Sequence, residues 1–277
     1  QIITSLFEND RIRAFLLYNV CMWGLDPRET GVGLFVALYL DRMMNKCYCQ
    51  GGSHKMASAL GKEFVRHGGV ILESSQVNKI ITKNGAVAGV ELWEGRTLYS
   101  NCIISTLDPR TTFLDLIGPE NVPKDLKESV EGWIYDKWSF NTLHVVSEEA
   151  PKYKADHPWA NEAFMTIFGF EGVDDMLAHW DRVVAGKLDL NNFGGHATCE
   201  TQWDTHLVRV PPSKRHRQVS FFQMHAPYKL EGGWEKRGPE VEAAILKKWA
   251  EYAPNMKKEN IVMTNQETPV DIEIRFP

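Results

Sequence analysis

Residues 51–118 read GGSHKMASALGKEFVRHGGVILESSQVNKIITKNGAVAGVELWEGRTLYSNCIISTLDPRTTFLDLIG. Gly51, Gly52 and Ser53 precede Met56, Leu60 and Phe64, which share one helical face, and Gly68-Gly69 closes the pattern; this predicts a helix with both ends marked. An apolar run at 70–72 follows, then β-prone runs at 77–82, 86–93 and 97–99, separated by Asn84-Gly85 and Glu94-Gly95. Both central residues of a type I′ turn need positive φ, so Asn-Gly between such runs predicts a hairpin, and the three runs a meander. Cys102-Ile103-Ile104 is unalternating and apolar, as strands buried on both faces of a parallel sheet are. It ends at Ser105-Thr106, and a short helix leads to Gly118.

Outward from this stretch, residues 1–49 read as helices, with Ile12, Phe15, Leu16 and Asn19 at helical spacing and a second apolar helix over 32–44. Its apolar core of nine residues is far below the roughly 20 that span a bilayer. It serves as an ordinary core helix, as a wall of a substrate tunnel, or as a surface dipping into a membrane to collect an apolar substrate. After Pro119 come a charged helix over 123–132 and an alternating strand over 138–146, which puts Phe140, Thr142 and His144 on one face. A β-like run over 163–170 and a helix over 174–185 with Met176, Leu177, Trp180 and Val184 on its apolar side come next. Strands over 197–201 and 219–225, a helix over 240–252 and a strand at 261–263 complete the pattern, and 268–274 reads as β-type.

At 277 residues and 43% apolar content, the chain is large enough for one large domain or two smaller ones. A net charge of −5 argues against a nucleic-acid role carried by overall charge, and Lys214-Arg215-His216-Arg217 reads as a solvated loop after Pro211-Pro212-Ser213. Cys21, Cys47, Cys49, Cys102 and Cys199 have neither disulfide-framework nor zinc spacing, so free thiols in a reducing compartment such as the cytoplasm are expected, and no metal site.

The stretch 51–118 resembles the central region of the phytoene desaturase-like flavoproteins, within the wider amine oxidase and carotenoid desaturase superfamily. The terminal run YAPNMKKENIVMTNQETPVDIEIRFP is similar to that family's approach to its last flavin-contacting segment, and the two lie in the family's order. The resemblance implies an α/β fold with part of an FAD-binding domain and a mixed-sheet substrate domain with helices. It divides the chain into a helical part of the substrate domain at 1–50, the returning FAD-binding portion at 51–118, the mixed-sheet domain at 119–260, and the start of a second return at 261–277. It implies FAD as cofactor, with backbone contact at Val77, with Ser105 and Thr106 near the phosphate side, and with Gly51, Gly52 and Ser53 as the turn re-entering the flavin domain.

The family's G-x-G-x-x-G turn, whose N–H groups hold a pyrophosphate, has no counterpart here. The nearest spacing, Gly31-Val32-Gly33, has no third glycine where one is needed. Gln1 and Phe276-Pro277 read as ends cut from a continuing sequence, so a companion polypeptide supplying the missing flavin-binding segments is expected, and little activity from this chain alone. The implied reaction is hydride removal from a hydrophobic, carotenoid-like or other substrate. The alternative is a non-catalytic scaffold that kept the fold without flavin. No catalytic acid or base is named by the sequence; His54, His144, His196 and His225 lie in or beside predicted elements, where structural hydrogen bonding is the simpler role.

Overall fold

The computed structural model describes residues 2–45, 47–155, 157–208 and 211–275. Gln1, Phe276 and Pro277, on which the reading of cut ends rested, lie outside the described residues. The chain divides into two compact units, one of Gln1–Ser58 with Asp136–Phe276 and one of Ala59–Tyr135.

The first unit opens with α1 (Ile2–Leu6), α2 (Asp10–Cys21) and α3 (Gly33–Met44). Asn9 caps α2, its side-chain oxygen accepting from the N–H groups of Arg11 and Ile12. Leu16, Val20, Val32 and Val36 pack together, while Ile12 and Phe15 face outward, so the buried face of α2 is rotated from the predicted one. Among the described residues no helix is long and apolar enough to cross a membrane.

The helix predicted after Ser53 is α4 (His54–Arg66), ended by Gly68 at φ 86 with Gly69 N–H donating to the Phe64 carbonyl. In the second unit, β1 (Val77–Lys83), β2 (Ala86–Leu92) and β3 (Thr97–Tyr99) form the expected antiparallel meander. Asn84 and Gly85 take φ 53 and 76, the positive pair that the turn requires. A π-helical turn over Thr111–Leu116 and α5 (Lys124–Glu131) complete the unit. One expectation fails here. Residues 102–104 form no strand, and neither does the apolar run 70–72: Val70 is 74% and Ile104 87% exposed. A strand exists only as a paired element, and among the described residues nothing pairs with either run.

The remaining elements belong to the first unit: β4 (Trp138–Ser147), β5 (Thr166–Phe168), α6 (Val173–Val184), β6 (Gly195–Cys199), β7 (Gln218–Pro227), α7 (Trp234–Tyr252), β8 (Ile261–Glu267) and α8 (Pro269–Arg275). The sheet runs β5-β6-β7-β4-β8, and every pairing is antiparallel, where the sequence reading had a mixed sheet. Residues 269–275, read as β-type, form a helix whose start is closed by Thr268, which exchanges hydrogen bonds with Asp271. α6 buries Met176, His179, Trp180 and Val183 and leaves Val184 exposed, so its core face is shifted by one residue from the predicted one. α7 starts at Trp234, earlier than its apolar periodicity indicates. The buried Trp234 indole donates to the Pro227 carbonyl at 2.9 Å and anchors that first turn, although Pro239 lies inside the helix and withholds a donor. The core lies between this helix and one face of the sheet, where Leu143, Val145, Phe222 and Met224 meet Val241, Ile245 and Trp249.

Candidate functional site

The other face of the same sheet carries a group of aromatic and polar side chains. Pairing sets Phe140 opposite His225, Thr142 opposite Gln223 and His144 opposite Phe221. On the far side of β7, His196 is opposite Gln223 and Thr198 opposite Phe221. Side chains alternate along a strand, so these residues share one face while their neighbours fill the core.

One end of this face is closed by α2 and α6. His225 is wedged among the rings of Tyr18, Trp138 and Trp180, with centroids 5.4, 5.5 and 5.5 Å away. The Tyr18 hydroxyl lies 2.9 Å from Nδ1 of His196. Burial lowers the pKa of His225 to about 4 and that of His179 to about 3, and pushes the Tyr18 phenol well above its usual value. These three groups are therefore uncharged at neutral pH, a polar lining without fixed charge. Among the described residues the buried Thr198 hydroxyl has no hydrogen-bond partner.

The other end is open. Phe140, His144, Phe221 and Gln223 are half-buried, and Gln223 Nε2 donates to Thr142 Oγ1 at 2.8 Å. Nε2 of His144 lies 3.9 Å from the Glu267 carboxylate. Aromatic walls with a few fixed polar groups suit an apolar molecule that must be held in one orientation. A separate cleft of about 620 Å³ runs along the short edge strand β5, lined by Ala14, Phe15, Met165, Ile167, Phe170 and Tyr252. The Arg11–Glu171 ion pair, 2.6 Å long, sits at its rim. Among the described residues no cluster of three or more His, Cys, Asp or Glu is placed to hold a metal.

The residues proposed for cofactor contact fall in two places. Gly51 and Gly52, at φ 81 and 96, form a turn whose donors are used internally: Gly51 N–H donates to the buried Asp204 carboxylate at 2.5 Å, and Gly52 N–H to the Cys49 carbonyl at 2.9 Å. Ser53 stands immediately before α4. The Gly51 N–H, then the backbone and ring of His206, hold the pKa of Asp204 below the usual carboxylate range. Val77 opens β1 in the second unit, opposite Leu92. The Ser105 hydroxyl is tied to Thr112 Oγ1 at 2.7 Å, and Thr106 is exposed beside it. The basic cluster near residue 215 is engaged through Glu148, which meets His216 at 2.6 Å and Arg217 at 2.8 Å.

Sequence reasoning singled out His144, His196 and His225 without joining them, and passed over Tyr18 and His179. Tyr18 stands in an apolar run, and nothing local marks a partner 178 residues away. A histidine inside an apolar helical face was the available signal for His179.

No protein-family profile matches the chain. A limonene dehydrogenase subunit of Castellaniella defragrans is 31% identical over 98% of the chain and 51% of its own length. Pyridine nucleotide-disulfide oxidoreductase domain-containing protein 2 of Rattus norvegicus is 24% identical over 100% of the chain and 49% of its own. A lycopene-forming phytoene desaturase of a Paracoccus species is 25% identical over 56% of the chain and 31% of its own. The chain thus spans about half the length of the first two curated relatives. In fold it resembles the crystal structure of an oxidoreductase from Methanosarcina mazei, with a TM-score of 0.60, 14% identity and coverage of 96% of this chain and 55% of that one. Sequence matches to named desaturases and to a dehydrogenase component, together with this fold, show that the chain belongs to the carotenoid desaturase-like oxidoreductase superfamily.

Proposed function

We propose that the chain is the substrate-binding part of a flavin-dependent dehydrogenase or desaturase that removes hydride from an apolar, isoprenoid-type hydrocarbon. The observation that carries this reading is the 31% identity to the Castellaniella limonene dehydrogenase component across 98% of the chain. The open sheet face supports it, since Phe140 and Phe221 offer ring surfaces to a hydrocarbon while His144, Gln223 and Thr142 provide the few polar groups that fix its orientation.

FAD is the cofactor implied by the family, and the residues of this chain fit it incompletely. The Gly51–Gly52 turn cannot cradle a pyrophosphate, because both N–H groups are spent and an ionised Asp204 lies against it. The turn then serves as the crossing between domains, with Ser53 leading into α4. Val77, Ser105 and Thr106 remain this chain's proposed contributions to a dinucleotide site. The pyrophosphate-binding segments are equivalent to the half of the relatives that this chain does not span, and a polypeptide carrying them completes the site.

The test is a visible absorbance spectrum of the chain purified alone and again with that polypeptide, followed by an anaerobic assay with limonene and with phytoene. A stoichiometric flavin band in the complex, bleached by one of these hydrocarbons, is expected. A folded complex without flavin overturns the oxidoreductase reading in favour of a scaffold.

A further inference from the structure

The open sheet face is crossed by a file of polar side chains whose order follows from strand register. Thr142 of β4 stands opposite Glu267 of β8 on one side and Gln223 of β7 on the other, and Gln223 stands opposite His196 of β6. Paired residues point to the same face, so Glu267, Thr142, Gln223 and His196 line up across four adjacent strands. In the neighbouring row His144 stands opposite Asn265 and Phe221, and Phe221 opposite Thr198. The Phe221 ring lies between two imidazoles, its centroid 6.1 Å from that of His144 and 5.9 Å from that of His196. Both ends of the file are engaged: Glu267 pairs with Arg275 at 2.5 Å, and the Tyr18 hydroxyl meets His196. The middle keeps unspent capacity. Gln223 gives one N–H to Thr142, which leaves its amide oxygen and second N–H for a further partner. The Thr198 hydroxyl, 4% exposed and without a hydrogen-bond partner among the described residues, shows that the face is not a closed network.

We propose that this face selects an isoprenoid alcohol, holding a single hydroxyl between the Gln223 amide and the His144 imidazole while the carbon chain lies on Phe140 and Phe221. The proposal rests on the substrate-binding reading above and narrows its substrate class. Gln223 and His144 are diagonal neighbours on adjacent strands, about 7–8 Å apart at the backbone, a gap that one oxygen atom between two long side chains bridges. A hydroxyl both donates and accepts. It gives its hydrogen to the Gln223 oxygen and takes an N–H from the imidazole or the amide on its lone pairs. A plain hydrocarbon at the same spot strips water from these groups and returns no bond, and a site built to bond a hydroxyl rejects the analogue lacking it for that reason. A carboxylate fits poorly as well, because it has no hydrogen for the amide oxygen and Glu267 stands in the same file.

The test is calorimetric titration of the purified whole chain with geraniol and with myrcene, a hydrocarbon of the same carbon skeleton. Geraniol is expected to bind on the order of tenfold or more tighter. Gln223→Leu and His144→Leu should each bring geraniol down toward myrcene, with myrcene binding and circular dichroism unchanged. The His144 side chain is 43% exposed, so His144→Leu carries the test if Gln223→Leu disturbs folding. Equal affinities in the parent chain, or a preference that survives both substitutions, overturn the proposal and leave the substrate-binding reading standing. No binding of either ligand overturns both. The flavin spectrum of the complex reports on the oxidoreductase reading independently of either result.

Discussion

The Tyr18 hydroxyl lies 2.9 Å from Nδ1 of His196, joining α2 to β6 where neither side chain reaches solvent. This bond fixes the helix that closes one end of the candidate site. Tyr18→Phe keeps the ring and removes the oxygen, leaving a buried imidazole nitrogen without that partner. A loss of about 1–3 kcal/mol in urea unfolding is expected. An unchanged midpoint would show that the pair contributes nothing to stability.

Burial of His179 and His225 sets an acid limit on stability. The unfolded chain binds protons on both rings below about pH 6.5, whereas the folded protein accepts them only near pH 4 for His225 and pH 3 for His179. The unfolded state therefore holds more protons in this window. Stability present above pH 6.5 falls as the pH drops toward 4, by up to about 1.4 kcal/mol per pH unit for each histidine. Unfolding curves between pH 7 and 4 measure this slope. His179→Leu, which removes one titrating ring, should flatten it.

The Gly51 turn is held from the sheet side. Gly51→Ala forces a Cβ into φ 81, at a cost of about 1–2 kcal/mol. Asp204→Ala removes the acceptor of the Gly51 N–H and should quicken amide exchange at Gly51 without altering the sheet. Exchange at Gly51 as slow as in the parent would show that another group holds the turn.

Phe221→Ala opens the floor of the sheet face while leaving the core residues on the opposite face in place. In the reconstituted enzyme, KM for the hydrocarbon should rise on the order of tenfold, with a smaller change in kcat. A fall in kcat alone, with KM unchanged, would place the substrate elsewhere.

Local chemistry accounts for much of the fold. Asn84-Gly85 fixes the meander because only residues tolerant of positive φ make that turn, and strict alternation placed Phe140, Thr142 and His144 on one face before any partner strand was known. The helix after Ser53 was legible from its spacing. The environment of that helix was not, because spacing gives the direction of an apolar face and says nothing of whether a surface meets it.

The helices, the meander, the alternation of β4 and the family resemblance could all be read from the order of residues, since each rests on groups near one another in the chain. Three facts needed the folded molecule: that Tyr18 meets His196, that Asp204 occupies the donor of Gly51, and that residues 70–72 and 102–104 stand without strand partners. The physical reason is distance along the chain: hydrogen bonds between remote elements and the presence or absence of a ladder partner depend on how those elements are brought together, and no local pattern carries that information.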